Sequence, residues 1–89
     1  KLSRLIEKSN ISYCPHFLGG GIGLIASAHA LSASRGNGIL EVDINNNPLR
    51  ENLVGEMFTK VPGMAYLSDS PGLGIEPNLK SIETFLIKH

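Results

Sequence analysis

The first half of the chain alternates helical patterns with short apolar runs, and this order constrains the fold more than any other feature. Residues 1–9 repeat leucine and isoleucine at helical spacing, and residues 22–34 return to that spacing after a run of glycines. Residues 11–14 and residues 39–43 each read as a short strand. A strand, a helix and a second strand joined by short links are typical of a βαβ unit with parallel strands. The sequence therefore predicts the α/β class.

The second half of the chain is less regular. Turns are predicted where asparagine, proline and glycine cluster, at residues 45–48, 61–63 and 70–72. We expect at most short strands around Phe58 and Tyr66, and a closing helix from Leu79 with Asn78 as its cap. Two βα steps and an irregular tail do not make a closed domain, so we expect the 89-residue chain to be a piece of something longer.

Charge and cysteine content exclude several classes of partner and compartment. The 8 basic and 8 acidic residues give a net charge of zero, and the basic residues are scattered. Nucleic acid is not an expected partner, because binding it needs clustered basic side chains that neutralise phosphates. Cys14 is the single cysteine, which excludes an internal disulfide and fits a reducing compartment.

The uncharged stretch at residues 16–33 is not expected to cross a membrane. Its apolar residues include four alanines beside six larger side chains, and it also contains four glycines, His16 and His29. Its length of about 18 residues is at the lower limit for a transmembrane helix. The opening residues are charged and amphipathic, unlike a secretory signal. We therefore expect a cytoplasmic protein without a membrane partner.

His16 is the best candidate for a catalytic base. It stands just past the first predicted strand and before a glycine-rich turn. Parallel α/β folds place their reactive groups there, because the carboxyl ends of the strands open into the crevice formed by the loops. Neutral imidazole is also a versatile proton acceptor near physiological pH. From position alone, a histidine that only hydrogen-bonds a loop is an equal alternative.

Glu41 is the second candidate site residue, at the end of the next predicted strand. In a parallel sheet it would lie at the same edge as His16, and neighbouring strands are ~4.8 Å apart, so both side chains would reach one small substrate. An acidic residue in this apolar frame needs a partner or a function, because an unpaired buried carboxylate is costly. Asp43 is a weaker rival for the same role, since it points the same way under strict alternation.

Other motifs indicate structure more than chemistry. His29 lies on an apolar helix face and is predicted to be a structural residue. The spacing of Cys14 and His16, without a second pair of ligands, is poor evidence for zinc. The glycines at residues 19–23 do not complete a dinucleotide-binding motif, because Leu24 stands where the third glycine belongs. We therefore predict no metal ligand and no cofactor-binding residue within this chain.

Four blocks of sequence resemble the C-terminal segment of the mandelate racemase and muconate lactonizing group of the enolase superfamily. They are Cys14-Pro15-His16-Phe17, the helix over residues 21–34, Leu40-Glu41-Val42-Asp43, and Asp69-Ser70-Pro71-Gly72-Leu73-Gly74-Ile75. Asn47-Pro48-Leu49-Arg50 also resembles the stretch that these proteins carry after their last barrel strand. The order and spacing of the blocks agree, so the resemblance covers nearly the whole chain.

The resemblance implies the C-terminal part of a (β/α)7β TIM-like barrel. Residues 1–44 would be its last βα units, with strands seven and eight at residues 11–14 and 39–42. Residues 45–89 would return to an α+β capping domain that closes over the substrate. A typical barrel has ~250 residues, so the rest of the barrel would be this segment's partner.

The resemblance also implies roles for the candidate residues. His16 matches the histidine that acts as base or acid at the end of the seventh strand. Glu41 matches the acidic residue at the end of the eighth, which hydrogen-bonds a carboxylate oxygen of a hydroxy-acid or sugar-acid substrate. The family uses Mg²⁺ to stabilise the enediolate, and the metal ligands would lie upstream of this segment. Family members are often homo-oligomers.

We therefore expect a fragment of a Mg²⁺-dependent enzyme that removes a proton alpha to a carboxylate. Acid-sugar dehydratase is the first choice, with racemase and cycloisomerase beside it, and the segment alone is expected to be inactive. The alternative is a catalytically silent barrel-like protein or a small structural or binding module, in which His16 and Glu41 are ordinary loop and strand residues. A nucleotide-binding module is a distant third hypothesis.

Overall fold

A computed structural model describes residues 2–58 and 60–87 of the chain. Its helices are α1 (Leu2–Lys8), α2 (Gly21–Ala33), α3 (Pro48–Glu51) and a closing 3-10 helix (Leu79–Phe85). The helices predicted from the spacing of apolar residues near the N-terminus and after the glycine run are thus confirmed as α1 and α2. Lys1, the start of the first predicted helix, and residues 88–89, the end of the predicted capping segment, lie outside the described residues.

The predicted strands do not form within the described residues. Where the sequence predicts strands at 11–14 and 39–43, the structure has extended segments joined by one isolated parallel bridge, between His16 and Glu41. A two-stranded pairing is marginal on its own, and Pro15 has no N–H to donate to a ladder. The parallel sense of the bridge agrees with the predicted order, but the α/β sheet itself is not present in this part of the chain.

The short strands expected around Phe58 and Tyr66 are also absent from the described residues. Phe58 lies in a turn, and Tyr66 lies in an extended segment without a ladder. The Tyr66 amide donates a hydrogen bond to the Met57 carbonyl at 2.8 Å, so the two regions are in contact. A single backbone hydrogen bond does not build a strand, which needs a row of such bonds.

α2 begins after Gly20, whose backbone is extended, and it packs one side against the rest of the chain. Leu24, Ile25 and Ala28 on this face are buried. The helix ends at Ser34, whose backbone N–H and side-chain hydroxyl both donate to the Leu31 carbonyl, at 3.0 and 2.9 Å. This pair of bonds satisfies a carbonyl that the helix would otherwise leave without a partner.

α3 occupies the stretch that follows the turn predicted at residues 45–48. The Asn47 side chain accepts a hydrogen bond from the Arg50 N–H at 3.3 Å, and Pro48 takes the first helical position. Asparagine as N-cap and proline at the first position form a known helix-start signal. The turn prediction was therefore incomplete, because it did not use this signal.

The hydrophobic core lies between α2 and the residues that follow α3. Its buried members are Leu24, Ile25, Ala28, Val54 and Met57, and the partly buried Leu40, Leu67, Leu73 and Ile75 pack against them. The core therefore draws on residues before and after position 45. A face of α2 buried in this way fixes the helix relative to the extended segments at both of its ends.

The closing helix is a 3-10 helix that begins after Asn78. Asn78 is at the predicted cap position, but its side chain makes no capping hydrogen bond. The Ser81 N–H and hydroxyl instead donate to the Asn78 backbone carbonyl, at 3.1 and 2.6 Å. Leu79 and Phe85 of this helix are exposed, as is Leu86 immediately after it.

Within residues 2–58 and 60–87, the helices are all too short or too polar to cross a bilayer.

The two extended segments approach each other closely where Gly38 lies against the Tyr13 backbone. A Cβ atom added at Gly38 would clash with the Tyr13 carbonyl oxygen, whereas one added at Gly36 would meet nothing within 4 Å. Neither glycine has a positive φ, so alanine is compatible with both backbones. Gly38→Ala should therefore lower the free energy of unfolding of the intact polypeptide by about 1–3 kcal/mol in a urea titration.

Gly36→Ala is the matched control, two residues away in the same turn. It should leave stability unchanged or raise it by up to about 1 kcal/mol, because alanine has less freedom to lose on folding. Equal stability of the two variants would show that the segments at residues 13 and 38 do not pack as described.

Candidate active site

The structure brings the two candidate residues, His16 and Glu41, together. The Glu41 N–H donates to the Pro15 carbonyl at 3.0 Å, and this bond forms the parallel bridge between the segments. The His16 Nδ1 atom lies 3.9 Å from the Glu41 Oε1 atom. Because the two segments run parallel, His16 and Glu41 lie at the same end of the pair. The sequence predicts this placement for groups at neighbouring strand ends.

The pair is open to solvent. The side chains of His16 and Glu41 are 35% and 62% exposed. The separation of 3.9 Å is too long for a hydrogen bond. The contact is therefore purely electrostatic, and it is an ion pair only when the His16 ring is protonated. The expectation of a carboxylate within a buried apolar frame was wrong for Glu41, since its neighbours Ile39 and Val42 are exposed as well. Both side chains are therefore accessible to a small molecule at this edge.

The glycine run after His16 makes room for neighbouring groups. A Cβ atom at Gly19 or Gly23 would clash with the aromatic ring of Phe17. A Cβ atom at Gly21 would lie 2.7 Å from the Arg50 carbonyl oxygen. The close approach of the Arg50 backbone thus explains Gly21 without a bound phosphate.

Asp43 stabilises the loop that follows Glu41. Its Oδ1 atom accepts hydrogen bonds from the Asn45 backbone N–H at 3.2 Å and from the Asn45 side-chain Nδ2 at 3.0 Å. An aspartate that bonds the backbone two residues ahead forms a common turn. Asp43 therefore has a local structural partner, which distinguishes it from Glu41.

Arg50 is a buried charged residue near the site that sequence reasoning did not single out. It is only 8% exposed, and its Nη2 atom donates to the Asn45 carbonyl at 2.7 Å. The same Nη2 atom is 3.3 Å from the Glu51 Oε1 atom. The stretch from Asn47 to Arg50 entered the sequence interpretation only through its resemblance to a known family, and the Asn-Pro helix-start signal would have placed Arg50 on a helix.

His29 has the structural role that its position on α2 predicts. Its ring Nε2 lies 3.0 Å from the Leu73 carbonyl oxygen, and the pair is partly buried. Because a carbonyl only accepts, Nε2 is the protonated nitrogen of this bond. The bond ties the Pro-Gly-Leu-Gly turn of the tail to α2.

The described residues contain no cluster of three or more histidine, cysteine, aspartate or glutamate side chains suited to hold a metal ion. Cys14 is a free, exposed thiol. The residues seen here therefore do not fit a Mg²⁺ centre of their own, and no catalytic step is assigned to a metal at this site.

The sequence of the chain belongs to the enolase C-terminal domain-like family, whose model matches residues 1–81. This membership places the chain in the enolase superfamily and confirms the resemblance seen in its sequence blocks. Members of the superfamily are lyase-type and isomerase-type enzymes, generally use Mg²⁺, and bind small acid substrates within a larger chain.

Among characterised proteins, the chain is similar to D-galactarolactone cycloisomerase of Agrobacterium fabrum (strain C58 / ATCC 33970). The two sequences are 28% identical over 93 residues, which cover 96% of this chain and 25% of the relative. The chain therefore spans about a quarter of the length of the curated relative it matches. No solved structure matches it significantly.

The exposure of Glu41 predicts that it contributes little to stability. An exposed ion pair typically contributes about 0.2–1 kcal/mol. Glu41→Gln, which keeps the size of the side chain and removes its charge, should therefore change the free energy of unfolding of the intact polypeptide by less than about 1 kcal/mol. The measurement is a urea titration beside the wild type, and a loss of several kcal/mol would mean that Glu41 is a buried structural residue.

Proposed function

We propose that this chain is part of an enolase-superfamily enzyme that removes a proton alpha to a carboxylate, with His16 as the base. The observation that carries the proposal is the placement of His16 and Glu41, 3.9 Å apart at one exposed edge of two parallel segments. Family membership over residues 1–81 supports the enzyme class. The position of the pair supports the choice of residues within it.

In the proposed reaction, His16 takes the proton from the carbon alpha to the substrate carboxylate. Its Nδ1 atom faces Glu41, which leaves Nε2 to accept the proton. The electron pair of the broken C–H bond passes to the carboxylate, so an enediolate forms. Glu41 is proposed to hydrogen-bond the carboxylate oxygen of the substrate on which negative charge develops.

The fate of the enediolate decides the product. Reprotonation of the same carbon from the opposite face gives a racemase. Loss of a β-hydroxyl, which takes up a proton and leaves as water, gives a dehydratase. Loss of a β-oxygen that belongs to a lactone ring opens the ring to a free carboxylate and gives a cycloisomerase. The relative from A. fabrum is named as a cycloisomerase of a galactarolactone. We propose a hydroxy-acid or sugar-acid substrate, with dehydration and cycloisomerisation as the reactions to test first.

The proposal requires residues beyond those described here. A Mg²⁺ ion would supply charge neutralisation when bound, and the resemblance to the family implies that its ligands lie upstream in a longer polypeptide. Residues 1–44 would contribute strands seven and eight of the barrel, and residues 45–89 would return to the α+β capping domain. The parallel bridge and the exposed Ile39, Val42 and Ile44 support a barrel whose other strands cover this edge.

The remaining proposals concern the setting of the enzyme. We propose a cytoplasmic protein with a small-molecule substrate, without a nucleic-acid or membrane partner, and able to form homo-oligomers. The single cysteine of the sequence supports a reducing compartment, and the scattered charges support the proposal of no nucleic-acid partner.

The length of the curated relative predicts that the intact polypeptide is several times longer than this segment. The curated relative is about four times as long as the part that aligns, and the segment has a mass of 9.5 kDa. Intact mass spectrometry under denaturing conditions should therefore give a mass several times 9.5 kDa. A mass equal to that of the segment would require a separate chain to complete the barrel.

The assignment of His16 as the base predicts that its replacement slows exchange of the α-proton of the substrate. In the intact polypeptide, supplied with Mg²⁺ and sugar-acid substrates in D₂O, His16→Asn should slow exchange of the α-proton by about 10²–10⁴-fold, which is the usual contribution of a general base. Proton NMR of the substrate measures the exchange directly, separately from product formation.

His29→Gln is the matched control, because it alters a histidine of the same helix-and-loop unit that contacts the Leu73 carbonyl and not the site. It should keep the exchange rate within a few-fold of wild type. Unchanged exchange in His16→Asn would disprove the assignment of the base. An equal loss in both histidine variants would indicate a general structural effect.

A further inference from the structure

The segment from Asn47 to Arg50 contacts both of the loops that follow the candidate site residues. The Asn47 Nδ2 atom donates to the Gly19 carbonyl at 3.2 Å, in the loop after His16. The Arg50 Nη2 atom donates to the Asn45 carbonyl at 2.7 Å, in the loop after Glu41. One short segment therefore holds the two stretches of chain that leave the site.

We propose that Asn47 and Arg50 form a clamp that sets the distance between His16 and Glu41, and so act as positioning residues of the active site. The catalytic meaning of the clamp rests on the proposed function, whereas its effect on the His16–Glu41 bridge does not. Neither residue is assigned contact with the substrate.

The two halves of the clamp are linked to one another. The Asn47 Oδ1 atom accepts from the Arg50 N–H at 3.3 Å, which caps α3. The Glu51 Oε1 atom accepts from the Asn47 backbone N–H at 3.2 Å and from Arg50 Nη2 at 3.3 Å. Because these bonds form a closed network, a shift of Asn47 would be transmitted to Arg50 and then to Asn45.

Hydrogen bonds connect Arg50 to the loop after Glu41 through Asn45. Asp43 accepts two hydrogen bonds from Asn45, one of them from its backbone N–H, while Arg50 binds the Asn45 carbonyl. The backbone N–H, the side-chain amide and the backbone carbonyl of Asn45 are thus all hydrogen-bonded. Asp43 lies two residues beyond Glu41, so the fixed turn begins next to the bridge.

The burial of Arg50 at this position lowers the stability of the fold. It is 8% exposed, and its Nη1 atom is buried without a hydrogen-bond partner among the described residues. A buried donor without a partner costs about 1–3 kcal/mol, and an apolar side chain of similar length would avoid this cost. The reach of Nη2 to the Asn45 carbonyl is the interaction that an apolar side chain cannot provide.

The test compares two asparagines of this region. Asn47 and Asn52 each donate an Nδ2 hydrogen bond of 3.2 Å to a distant backbone carbonyl, Asn47 to Gly19 and Asn52 to Ser81. Replacing either by aspartate removes the donor and keeps the shape of the side chain. Asn47→Asp also keeps the oxygen that caps α3, so its helix remains capped.

Hydrogen exchange of the Glu41 amide in the intact polypeptide is the readout, because this amide forms the bridge to Pro15. Asn47→Asp should lower its protection by about two- to tenfold, the effect of losing one hydrogen bond. Asn52→Asp should leave it unchanged, and amides within α2 should keep their protection in both variants. Arg50→Met, which keeps the buried stem, should reproduce the loss at Glu41.

Equal loss of protection in Asn47→Asp and Asn52→Asp, or no loss in Asn47→Asp, would overturn the clamp. In the α-proton exchange assay, Asn47→Asp should lower kcat with KM nearly unchanged, and Asn52→Asp should change neither. Absence of α-proton exchange in the wild type would count against the proposed function alone, because the amide measurement decides the clamp without any substrate.

Discussion

Burial of one face of α2 against the residues after α3 is the interaction on which the rest of the structure depends. Leu24 and Ile25 are fully buried and pack with Val54 and Met57. Full burial of one such side chain contributes roughly 1.5–3 kcal/mol. α2 lies between the two candidate residues in the sequence. Its packing therefore also fixes the positions of the segment that contains His16 and of the segment that contains Glu41. The geometry of the site is thus a consequence of a small apolar core.

Local features of the sequence predicted the parts of the fold that local interactions decide. The spacing of leucine and isoleucine predicted α1 and α2, because one helix face must be apolar wherever it packs. The order of elements predicted parallel segments and the proximity of His16 and Glu41. The Asn-Pro signal at residues 47 and 48 was present in the sequence, and using it would have predicted the start of α3.

Features that depend on distant residues were not predictable. A strand exists only where a second segment pairs with it over several residues, and the segments around residues 13 and 40 meet at a single bridge. The apolar neighbours of Glu41 indicated a buried carboxylate, yet exposure depends on what covers them. Arginine is almost never fully buried, so the burial of Arg50 follows only from the way α3 packs on the glycine loop.

The contact of Phe17 with Gly19 and Gly23 has a consequence for how sequences of this kind can diverge. The ring occupies the volume that side chains at both glycine positions would need. Because Phe17 is 42% exposed, a larger residue at position 19 or 23 would push its ring farther into solvent, and a smaller residue at position 17 avoids that exposure. In related sequences, larger residues at either glycine position should accompany a smaller residue at position 17, so that these three positions change together during evolution.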